Sequence, residues 1–128
     1  RSLGVTLCGL LLTLSFAREN LFASAYGPLA RDLLSAFHAH ETQCHAAIEV
    51  PDVCFEVRAA GAGLLAEVLA EVVNDYRSAG LRMGEWRAAN GVWAVELRFN
   101  EGAYGSVEIF LTESGRGDVR GMLVLLAP

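Results

Sequence analysis

Leu64, Leu65, Val68, Leu69, Val72, Val73 and Tyr76 recur at i, i+3 and i+4 spacing between Gly61-Ala62-Gly63 and Gly80. The stripe predicts one amphipathic helix over 63–79, stopped by the glycine, and such a helix must lie on an apolar surface. Around it the chain is written in the two-residue period of strands. Val53, Phe55 and Val57 alternate with Cys54, Glu56 and Arg58, so the first three share one face of a half-buried strand. Asn90-Gly91 separates 81–89 from 92–99, and this dipeptide suits a type I′ hairpin because both central residues need positive φ. A two-residue loop sets Ala88 opposite Trp93 and Trp86 opposite Val95 on the core side, with Glu96 and Arg98 outward. That register turns Leu81 and Met83 out, and a bulge at Gly84 is expected to flip them back. Val107, Ile109 and Leu111 alternate in a third strand, while 119–126 is apolar on both faces, as a central strand is.

Upstream, Gly27-Pro28 is a helix start, and Leu29, Leu33, Phe37 and His40 follow at helical spacing. A helix over 28–43 is predicted, with Pro51-Asp52 turning the chain into the first strand. The fold class is therefore α+β: one long helix packed on a mainly antiparallel sheet, preceded by an N-terminal helix. The division reads as a helical segment over 26–48 and an α+β domain over 49–128. From Val53 onward the β-α-β-β-β-β order resembles the cystatin-like topology. The inhibitor family's Gln-x-Val-x-Gly hairpin has no counterpart, since the tip reads Ala89-Asn90-Gly91-Val92. The resemblance thus implies a fold and not protease inhibition.

Of the 128 residues 53% are hydrophobic and three are proline, a composition that supports a packed core. Fifteen acidic against ten basic residues leave a charge of −5, which argues against a nucleic-acid partner. All ten basic residues are arginine, scattered along the chain, and are read as codon bias rather than an anion site. The run over 3–17 is apolar, follows Arg1 and stops at Arg18-Glu19-Asn20. It is shorter than the roughly 20 residues a membrane span needs and suits a signal peptide. Cleavage is expected after Ala25, at Ala23-Ser24-Ala25, so that 1–25 is removed; Ser15-Phe16-Ala17 is the alternative site. These features predict export to the periplasm or the outside, with no membrane contact after cleavage. Gly4-Val5-Thr6-Leu7 before the apolar run resembles the start of a type IV pilin or pseudopilin, which implies a retained N-terminal helix in an envelope machine.

Three clusters carry candidate chemistry. Cys44 and Cys54 remain after export and are expected to form a disulfide in an oxidising compartment. His38, His40, Glu41 and His45 crowd one short stretch, and His40-Glu41-x-x-Cys44 is close to the His-Glu-x-x-His spacing of zinc proteases. That is the candidate metal set, although a disulfide would consume Cys44. Glu67, Glu71 and Asp75 make an acidic ridge at i, i+4 spacing. Asn90 and the pair Arg116 and Asp118 occupy two hairpin tips that should emerge at the same end of the sheet, beside Trp86 and Trp93, which are read as core. Arg87 is expected to join them. Arg116-Gly117-Asp118 also resembles the integrin-binding signal of adhesive proteins. Reversing the charges of Arg116 and Asp118 together is expected to abolish partner capture without changing the melting temperature. No cofactor is implied. The expectation is a non-catalytic, exported module that binds a protein or envelope component, with a metal-dependent enzyme at the histidine cluster as the rival.

Overall fold

The computed structural model describes residues 21–44, 52–100 and 104–127. The apolar run over 3–17, with its signal-peptide and pilin-like readings, and His45 lie outside them. Helix α1 (Gly27–Ala36) opens with Pro28 in its first turn and buries Leu29, Ala30 and Leu33. It stops seven residues before the predicted end at Gln43. His38 takes a left-handed φ of 54°, and the His38 and Ala39 N–H groups donate to the carbonyls of Ser35 and Leu34. These two bonds close a Schellman-type cap, satisfying carbonyls that a longer helix would have used. Phe37 keeps its place on the predicted stripe, buried and 5.9 Å from the Phe55 ring. His40 does not, because the next residues form strand β1 (His40–Thr42) paired antiparallel with β2 (Val53–Val57).

Helix α2 (Ala62–Asp75) carries the long stripe, and a 3-10 turn (Arg77–Ala79) ends at Gly80, whose φ of 92° makes it the left-handed stop. Leu65, Leu69, Val72 and Val73 are buried, but Leu64 in the first turn is 52% exposed. After it come β3 (Leu81–Met83), β4 (Arg87–Ala89), β5 (Val92–Phe99), β6 (Ser106–Glu113) and β7 (Val119–Leu126). All pairings are antiparallel, in the order β1-β2-β7-β6-β5-β3, with β4 also on β5. The class is α+β, and β7 is central, as its two apolar faces required. Ala88 pairs with Trp93, while Met83 pairs with Leu97. Three residues, Gly84 to Trp86, therefore oppose two, Val95 and Glu96, which is the expected bulge. It turns Leu81 back into the core at 1% exposure, whereas Met83 stays 37% exposed.

The core lies between one face of the sheet and the two helices. Val53, Phe55, Val95, Leu97, Val107, Ile109, Leu111 and Leu123 form one buried cluster with Leu29, Leu33, Leu65 and Leu69. Gly121 of β7 is part of the fit: a Cβ there would stand 2.3 Å from the Phe55 ring. The helices are tied together by the Tyr76 hydroxyl, which donates to Asp32 at 2.5 Å. Burial first, and then the bond and charge of Asp32, push the Tyr76 phenol up to about 12. Tyr26, wholly buried, donates its hydroxyl to the Gly105 carbonyl at 2.7 Å and accepts the Phe99 N–H at 3.1 Å.

Candidate functional site

Asn90 and Gly91 have φ of 53° and 76°, as a type I′ turn demands. The second tip is closed by Ser114 N–H to the Asp118 carbonyl (2.8 Å) and Gly117 N–H to the Ser114 carbonyl (3.0 Å). Val92 pairs with Thr112, and Glu113 with Val119, so both turns lie at one end of the sheet. The N-terminus of α2 arrives at that end too. Its N-cap, Gly61, has no side chain to offer, and the Glu113 carboxylate caps the helix from across space by accepting the Ala62 N–H at 3.0 Å. The Gly117 carbonyl accepts the Ala60 and Gly61 N–H groups at 3.1 and 2.9 Å. Asp118 Oδ1 accepts the Ala59 N–H at 2.8 Å.

Between helix and sheet at this end lies a pocket of about 260 Å³ lined by Trp86, Trp93, Leu111, Glu113 and the small helix residues Ala62, Gly63 and Ala66. Trp93 shares a row of the core face with Leu111, yet it is 45% exposed. The helix presents only small side chains opposite it, too short to cover an indole. Trp86 is half-buried against the core. The reading of both tryptophans as core is thus corrected for Trp93. It missed the pocket because alternation shows which face a residue takes and not how tall its neighbour across the gap is. The signal available was the run Ala62-Gly63 with Ala66 one turn on.

Asn90 and Arg116 are exposed on the two tips, while Asp118 is half-buried and bonded to the loop before α2. Reversing the Asp118 charge therefore disturbs the fold as well as the surface. Arg87 sits on the other face of the sheet, bonded to Glu108 at 2.7 Å. Glu67, Glu71 and Asp75 are exposed on α2, as an acidic ridge requires. The histidine stretch lacks the helical spacing that the zinc pattern needs. His40 and Glu41 are successive strand residues, whose side chains leave on opposite faces, and Cys44 is bonded to Cys54 at 2.05 Å. Among the described residues no group of three or more His, Cys, Asp or Glu side chains could hold a metal ion.

A second concavity, about 520 Å³, lies on the sheet face away from the helices, floored by Phe110 and Met122 and bordered by Thr42, the Cys44–Cys54 disulfide and Arg120. Among the described residues no helix is long and apolar enough to cross a membrane. Compared with protein-family models, curated proteins and solved structures, the chain matches none.

Proposed function

We propose that the chain is an exported, non-catalytic module that binds a protein or envelope component at the turn end of its sheet. The observation that carries this reading is Trp93, left 45% exposed in a pocket whose helix wall is built of small residues. Indole rings are over-represented where binding energy concentrates, and a half-covered one beside two turns is an unfilled contact. At about 260 Å³ the pocket is smaller than those that take drug-sized ligands, and it suits one apolar side chain of a partner. Glu113 supplies its polar rim. The disulfide supports an oxidising compartment, and neighbouring turns at one end of an antiparallel sheet are consistent with the cystatin-like wrap.

The test is capture from the envelope fraction of the native host with the purified domain as bait. Trp93→Ala should reduce capture at least about 10-fold, the effect of removing a hot-spot side chain. Neutralising the ridge, with Glu67→Gln, Glu71→Gln and Asp75→Asn together, should leave capture unchanged. Loss by the ridge variant alone would move the interface to α2, and the absence of any captured component would defeat the reading.

A further inference from the structure

Resting on the export reading above, we infer that the leader is cut between Ala17 and Arg18, so that the segment before α1 belongs to the mature domain. Residues 21–26 are built into the fold. Leu21 and Tyr26 are both completely buried. Ser24 holds the turn between them: its hydroxyl donates to the Leu21 carbonyl at 2.6 Å and accepts the Tyr26 N–H at 3.1 Å. The Ser24 carbonyl accepts the Gly27 N–H at 3.0 Å.

Residues downstream are shaped to this turn. A Cβ at Gly27 would stand 2.0 Å from the Phe22 carbonyl oxygen, a backbone atom with nowhere to go. Gly27 is therefore obligatory only while Phe22 precedes it. Arg31, one turn further along α1, lies 5.0 Å from the centre of the Phe22 ring and donates to the Phe22 carbonyl at 3.4 Å. A cut after Ala25 discards all of these contacts. It also takes away the Ser24 oxygen that serves the Tyr26 N–H.

The Ser15-Phe16-Ala17 sequence has small residues at the same spacing and closes the apolar run. Cutting there is hydrolysis by an envelope endopeptidase. Water adds across the Ala17–Arg18 peptide bond, leaving a carboxylate on Ala17 and an amino group on Arg18. Of the two cuts, only this one yields a product that keeps the whole domain.

Mass spectrometry of protein recovered from the exported fraction of cells producing the full chain should find a mature N-terminus at Arg18. A start at Tyr26 overturns the inference and leaves export standing. A chain that keeps residues 1–17 overturns both. Ala17→Leu should leave unprocessed precursor, and Ala25→Leu, at an exposed position, should leave processing unchanged; the opposite pattern overturns the inference. Stability provides an independent arm. A chain starting at Tyr26 should melt roughly 10 °C or more below one starting at Arg18, as loss of a buried leucine and its turn requires. Gly27→Ala should lower the melting temperature of the longer version and not of the shorter. Equal melting of the two versions would show that the segment is dispensable and overturn the proposal.

Discussion

Ile109 and Phe110 are neighbours in one strand with different surroundings. Ile109 is sealed between the sheet and the helices, while Phe110 is half-buried in a broad groove on the face away from them. Ile109 belongs to the buried apolar cluster that the sheet and helices share. Around Phe110 the face is a mosaic, with Met122 beside it, the Arg120 to Glu56 pair at 3.7 Å lining the same groove, and the Arg87 to Glu108 pair at 2.7 Å two residues away along the strand. The same alternation thus produces a core on one side and a self-neutralised, partly greasy surface on the other. Exposed ion pairs of this kind contribute little to stability, about 1 kcal/mol or less each. The fold rests on the covered face.

The largest effect should separate those two residues. Ile109→Ala is expected to cost about 3 to 4 kcal/mol, because it leaves a cavity in a fully packed layer. Phe110→Ala should cost less, about 2 kcal/mol, since its ring is only partly buried and its removal widens an open groove instead of leaving a sealed cavity. Denaturant unfolding of both variants checks the contrast. Equal costs would mean that the second face is covered in solution, by another copy or a partner.

Next in size is the disulfide, which lies on the less protected face. Cys44 and Cys54 are 10 residues apart in sequence. Cross-linking a loop that short stabilises by about 2.5 kcal/mol in the chain-entropy picture. Cys54→Ser should lower the melting temperature by that equivalent, and reductant should lower the parent's and leave the variant's unchanged. The bridge ties β1 to the sheet, so the loss should fall on that edge and spare α2.

The smallest change concerns pH. Asp52, buried at the start of β2, accepts the Leu125 N–H of β7. Burial raises its carboxyl above the usual 3.8, and the Leu125 bond offsets part of that rise. Folding therefore favours the protonated acid. The burial penalty is absent below the ordinary carboxyl value, grows as pH rises from there through the raised one, and is constant above it. Asp52→Asn should remove that slope from the melting temperature measured across the acidic range. An unchanged slope would place its origin in another carboxylate.

Much of the architecture was legible before any coordinates. The long stripe, the Asn90-Gly91 turn, the extra residue near Gly84 and the central last strand are all local or near-local signals, and each appears where the residues said it would. The end of α1 was not. Periodicity carried His40 onto the helix, but the left-handed His38 and the pairing of Thr42 with Cys54 drew the chain into the sheet instead. No local pattern distinguishes a histidine that continues a turn from one that closes it when the deciding partner lies in another strand. The turn end was half legible: the two turns that carry Asn90 and Arg116 form where expected, whereas the bond made by Asp118 was not foreseen. Its carboxylate serves the Ala59 N–H, a partner 59 residues away.

What the amino-acid order determined alone is a set of periods and punctuation: where the helix runs, which strand residues share a face, and how the two hairpins turn. These depend on backbone geometry and on neighbours a few residues away. The tertiary structure decided what stands opposite each face. Trp93 and Leu111 share a face by sequence, but only the docking of α2 puts Ala62, Gly63 and Ala66 across from the indole and leaves it open to solvent. Likewise Glu113 becomes a helix cap only because β6 ends beside a helix whose own cap is glycine. Exposure is set by the height of side chains across a gap, a quantity fixed between elements distant in the chain and absent from the period of either one.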